Sequence, residues 1–70
     1  MNQYKYSKGD NIMPTIKELR QKSGLSQSKF AAKYHIGLTT LQHWEQGVTK
    51  TPEVVLYLLN EVMKYEEQEQ

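Results

Sequence analysis

Gly24 and Gly47 bracket a stretch in which apolar residues recur at helical spacing, stop, and start again. Phe30, Ala31 and Tyr34 make the first set, and Leu41 and Trp44, three apart, make the second. Tyr34-His35-Ile36-Gly37 between them is short enough only for a tight turn. Two helices this brief cannot bury their stripes alone. They must pack on each other at a steep angle and on a neighbour, which restricts the chain to a close helix pair at the centre of a small all-α domain. Ala31 is small where a crossing helix must come close, though any packed pair would use it in the same way.

The flanks supply the neighbours. Thr15-Ile16-Lys17-Glu18 is a capping box, predicting a helix to about Ser23 with Ile16 and Leu19 inward and Gly24 as its left-handed stop. Ser26 is placed to cap the second helix, and the third should begin near Gly37 or Leu38 and end at Gly47. Thr51-Pro52-Glu53 opens a fourth helix running to about Tyr65, with the hydroxyl as cap, Pro at the first position and an acid at the positive end of the dipole. On that helix Val55, Leu58, Leu59 and Val62 form the expected core stripe. Val54, Leu56, Tyr57 and Met63 point elsewhere and are expected at a dimer interface. The expected organisation is a flexible arm over 1–14, a four-helix domain over 15–65, and a frayed acidic tail over 66–70.

Seventy residues sit near the lower limit for a core that holds without staples, and there is no cysteine to form a disulfide or a thiolate metal site. The longest apolar run, Val54 to Leu59, is six residues and too short to cross a bilayer, so a cytoplasmic protein is expected with no membrane partner. Charge is unevenly distributed. Residues 1–50 hold eight Lys/Arg against three acids, a net +5, whereas residues 51–70 hold one Lys against five Glu, a net −4. A basic front half favours a polyanion on one face, although ordinary solvated surface has the same composition. His35 and His43 stand eight apart rather than four, with no third ligand evident, so no metal is expected. Ser23, Ser26 and Ser28 are accounted for by helix ends, with no base placed to activate them. Neither an enzyme nor a cofactor is indicated.

Taken together, Leu19-Arg20, Leu25-Ser26-Gln27, Ala31, Trp44-Glu45-Gln46-Gly47 and Lys50-Thr51-Pro52 resemble the phage-repressor, Cro/cI-like (XRE-like) helix-turn-helix family over roughly Ile16 to Leu59. The resemblance implies a lambda-repressor-like fold and a small regulator that binds double-stranded DNA, commonly as a homodimer on a partly palindromic site. Residue by residue, it implies that Leu38, Thr39, Gln42 and His43 face base edges. Gln27, at the start of helix two, matches a phosphate clamp. Gln46, Gly47, Thr49 and Lys50 match a loop that contacts phosphate, and Arg20 and Glu45 match an internal ion pair. This sequence departs from the family pattern in having His35 where the left-handed turn residue is usually Gly. It also has Gly37 where Ser or Thr usually caps the recognition helix, and it lacks the fifth helix of fuller members.

Each assignment has a plainer competitor. Arg20 and Glu45 would serve as surface charges were they not beside the inward Leu19 and Trp44. His43 would pass for an exposed helix residue, and Leu38 is an odd surface choice unless it meets a thymine methyl. Trp44 belongs with the core. Tyr4-Lys5-Tyr6 in the arm suits DNA or partner contact, with disorder in the free protein as the competing expectation. The function expected is a sequence-specific repressor reading the major groove with residues 38–46. The alternative is an antitoxin-like protein that neutralises a partner protein, with autoregulatory DNA binding.

Overall fold

The computed structural model describes residues 13–68, which form four helices: α1 (Ile16–Ser23), α2 (Gln27–Tyr34), α3 (Leu38–Gln46) and α4 (Glu53–Gln68). No strand occurs among the described residues. The expectations for residues 1–12 and for Glu69 and Gln70 lie outside the described residues.

Local chemistry sets most boundaries. The Glu18 N–H donates to Thr15 Oγ1 at 3.1 Å while the Thr15 N–H donates to Glu18 Oε1 at 2.9 Å, a reciprocal cap that satisfies two orphan donors. Gly24 ends α1 at φ 77°, where a Cβ would be disfavoured. Ser26 Oγ accepts from the Lys29 N–H at 3.2 Å to open α2. His35 closes α2 in the left-handed region, at φ 59° and ψ 42°, and the next N–H, that of Ile36, returns to the Ala31 carbonyl at 2.9 Å. Gly37 opens α3 with no side-chain cap, and Gly47 ends it at φ 82°.

Phe30, Leu41, Leu19, Ile16 and Ala31 are buried at the junction of the first three helices, with Leu59 and Met63 closing the core from α4. Phe30 and Tyr34 meet edge to face, 4.9 Å between ring centroids. Trp44, Tyr34, Leu25, Ile36, Val55 and Leu56 are half-buried around this centre.

Helix α4 corrects three expectations. Its inward face is Val55, Leu56, Leu59 and Met63, whereas Leu58 and Val62 are 54 % and 43 % exposed and do not belong to the core. Met63, only 6 % exposed, is buried within the single chain and is therefore removed from the expected dimer surface; Leu56 is half-buried, and Val54 and Tyr57 are exposed. The physical reason is that apolar residues occupy most of the circumference from Val54 to Met63. Periodicity then does not single out one face, and packing on α1 decides.

The second correction is the length of α4, which continues through Gln68 rather than ending near Tyr65. Tyr34 Oη donates to Glu66 Oε1 at 2.8 Å and Lys33 Nζ reaches the same oxygen at 3.3 Å, tying that end to α2. The third is the start of α4. The Val55 and Leu56 N–H groups both donate to the Pro52 carbonyl, so Pro52 rather than Thr51 stands at the cap and Thr51 is buried one residue earlier. Met13 and Pro14, the last two residues of the expected arm, are half-buried.

Candidate nucleic-acid interface

Helix α3 is held from behind by Leu41 and Trp44 and presents its opposite side outward. Leu38, Thr39, His43 and Gln46 are exposed and Gln42 is half-buried. At 1.5 Å per residue, Leu38 and Gln46 stand about 12 Å apart along the axis, a length the major groove accepts. The α3 N-terminus carries no side-chain cap, so none of its orphan N–H groups is satisfied by the Gly37 side of the turn.

A chain of polar contacts runs along the flank that α3 turns toward α1 and α2. Arg20 donates to Glu45 as a fork, Nε to Oε2 at 2.6 Å and Nη2 to Oε1 at 3.0 Å, and its Nη1 donates to the Leu25 carbonyl at 3.2 Å. The Glu45 side chain is 5 % exposed and that of Arg20 17 %. Gln27 Nε2 donates to Glu45 Oε1 at 3.1 Å, and Gln42 Nε2 donates to Gln27 Oε1 at 3.3 Å. Hydrogen bonds from Arg20 hold the Glu45 carboxyl below the ordinary carboxylate range despite its burial, with Gln27 adding to the effect. The same bonds push the Arg20 guanidinium up. Four residues scattered between positions 20 and 45 are thus joined into one hydrogen-bonded array.

The remaining residues assigned to phosphate contact are gathered at the far end of α3. Gln46, Gly47, Thr49 and Lys50 are exposed around the turn that Gly47 allows, and the Val48 N–H donates to the His43 carbonyl at 2.9 Å. Gln27 lies apart from them, half-buried at the N-terminus of α2.

Lys17 and Lys29, counted in the basic front half, carry no assigned contact from the sequence. Arg20 is spent on Glu45, Lys33 on Glu66 at 3.3 Å, and Lys22 on Glu67 at 3.7 Å. Among the described residues Lys17, Lys29 and Lys50 form no ion pair, so the uncompensated positive charge sits at the starts of α1 and α2 and in the loop after α3. Counting charge by half-chain pointed to a basic front. Which lysines the acidic end of α4 neutralises depends on tertiary contacts, and no sequence signal carries it.

A short all-α domain whose central helix pair meets at a tight turn, with the second helix braced from behind and exposed in front, has the architecture of a helix-turn-helix module. A profile of the helix-turn-helix family matches residues 16–70, and the chain belongs to that family, in its XRE-like branch. It is a DNA-binding transcription regulator of the XRE type, and its family is typically non-enzymatic. Among curated proteins there is no match. Nor does any solved structure match. No described helix is long and apolar enough to cross a membrane.

Proposed function

We propose that the protein is a sequence-specific transcriptional repressor that inserts α3 into the major groove and occludes a promoter as a pair of copies. The observation that carries the reading is the bracing of α3 by the nearly buried Arg20–Glu45 fork, which leaves Leu38, Thr39 and His43 exposed, with half-buried Gln42 at their flank. Base readout requires this kind of preorganised helix, because a bidentate contact tolerates little displacement. Gln27 at the positive end of α2 and Lys50 in the loop after α3 are suited to phosphates on either side of the groove.

One inserted helix reads about four base pairs, too few to select a site in a genome, so two copies on a partly palindromic operator are expected. The surface for pairing is the outward stripe of α4, namely Val54, Tyr57, Leu58, Val62 and Tyr65, all exposed in the single chain. Pairing there would bury an apolar row that is costly to leave in water. Selection of bound duplexes from a random pool tests the proposal. Two similar half-sites about 10 base pairs apart are the expected product, and a pool that shows no enrichment overturns it.

The same stripe favours the second reading, an antitoxin-like role. A groove of about 410 Å³ between the α2–α3 turn and α4, lined by Ile36, Trp44, Val55 and Leu58, extends the apolar surface. Co-purification of a neighbouring gene's product at fixed stoichiometry, in place of self-pairing, would select that reading.

A further inference from the structure

We infer that the Arg20–Glu45 pair sets the donor–acceptor polarity of Gln42, with Gln27 as the positioning residue between them, and that Gln42 so oriented reads an adenine. The inference rests on α3 entering the major groove and goes beyond it by assigning a base to one side chain and a steering role to a buried carboxylate.

Two members of the array have a hydrogen-bonding sense that cannot change, Arg20, which only donates, and Glu45, which only accepts, and Glu45 is the one that meets an amide. Glu45 is ionised and nearly buried, and an ionised carboxylate accepts but never donates. Arg20 occupies Oε2 from Nε and Oε1 from Nη2, and the third group within reach of Oε1 is the Gln27 amide at 3.1 Å. Only the nitrogen of that amide can face a carboxylate oxygen. Gln27 Oε1 must therefore point the other way, toward Gln42, where the amide contact measures 3.3 Å. Facing an oxygen in turn, Gln42 presents its Nε2. Reversing either amide would set oxygen against oxygen or N–H against N–H in a half-buried seam, leaving both groups unsatisfied. The sense imposed by one carboxylate is thus transmitted through two neutral amides to the reading helix.

What remains unspent on Gln42 follows by subtraction. One N–H is given to Gln27, which leaves the second N–H and both lone pairs of Oε1, a donor beside an acceptor. In the major groove adenine presents an acceptor at N7 beside a donor at N6 and matches both. Guanine presents two acceptors, cytosine a single donor, and thymine an acceptor beside a methyl group. A phosphate presents only acceptors and would oppose Oε1. Adenine alone satisfies both free groups.

The test compares the wild type, Gln42→Ala, Gln27→Met and the double variant, each used to select duplexes from a random pool, with thermal unfolding recorded for all. Methionine keeps the length of Gln27 without a donor or acceptor facing either neighbour. The wild type is expected to select A·T at one position of each half-site. Gln42→Ala and Gln27→Met should each lose about tenfold or more of that preference while keeping the rest of the motif, and the double variant should lose no more than either alone. In the free protein, nuclear magnetic resonance of the Gln42 side-chain amide should show a shift on Gln27→Met. Uniform weakening of all duplexes by Gln27→Met, with the adenine preference intact, overturns the inference and leaves Gln27 as a phosphate contact only. An unmoved Gln42 amide resonance overturns it equally. A wild type that selects a motif insensitive to Gln42 defeats this inference alone, whereas a wild type that selects nothing defeats the DNA-reading helix with it.

Discussion

Replacing Glu45 with glutamine removes one charge from a site of unchanged shape, and its cost can be worked from the geometry. Two unit charges with centres about 4 Å apart attract by ~4 kcal/mol at an effective dielectric near 20. Part of this is recovered, because Arg20 is 17 % exposed and regains hydration, and because the substituted amide still offers one oxygen to the guanidinium. Against that recovery, its NH₂ group must face an Arg20 donor in either orientation, and the Gln27 donor as well when it takes the place of Oε1. A net loss of about 2–3 kcal/mol results, at the lower edge of what breaking a buried pair costs. A domain of this size has a total stability of ~3–8 kcal/mol, and each kcal/mol shifts the midpoint by about 8 °C, so Glu45→Gln should lower Tm at pH 7 by about 15–25 °C. Circular dichroism melts would measure it. Hydrogen bonds from Arg20 hold the folded-state pKa of Glu45 below its unfolded value, so its contribution is complete above about pH 4.3 and is lost as pH falls through the folded pKa. The melting curves of the two proteins should therefore converge in acid. Equal midpoints at pH 7 would refute the ion-pair argument, and a gap that persists in acid would show that shape rather than charge matters at this position.

Lys50→Ala should weaken binding to every duplex alike and reduce the slope of log K against log salt by about 0.9, while His43→Ala or Thr39→Ala should relax particular base pairs by roughly 1–3 kcal/mol each. Salt titrations on matched and mismatched duplexes separate the two, and identical behaviour of both classes would remove α3 from the reading role. Leu58→Glu, on the exposed stripe, should spare the melting transition and abolish high-affinity binding to the full site, whereas Met63→Glu should unfold the chain. Sedimentation showing one chain bound per full site would reject pairing through α4. His35→Gly should stabilise by up to about 1 kcal/mol, since φ 59° suits glycine better than histidine, and a lower midpoint would mean that the imidazole makes a contact worth more than the backbone relief.

Local signals determined the helices. The Thr15–Glu18 box, Ser26, and the glycines at 24 and 47 act within one or two turns of chain, and each stands at the helix end where its residue type belongs. The apolar pairs of α1, α2 and α3 were equally legible, because on short helices with few apolar residues only one face can turn inward. Arg20 and Glu45 were named as partners through a family pattern carried on neighbouring residues, not through any interaction readable along the chain. Three features depended on tertiary packing. Helix α4 has apolar residues on most of its circumference, so its buried arc was set by contact with α1, and this drew Met63 in and left Leu58 and Val62 outside. Its last turn is held by Tyr34 and Lys33 of α2, more than thirty residues earlier in the chain, which no local propensity records. The relay from Glu45 through Gln27 to Gln42 likewise joins three helices, because α1 supplies the arginine that fixes the carboxylate. Helix ends and simple stripes are short-range properties and are written locally. The buried arc of a many-faced helix and the sense of a hydrogen bond between distant amides exist only once the helices have packed.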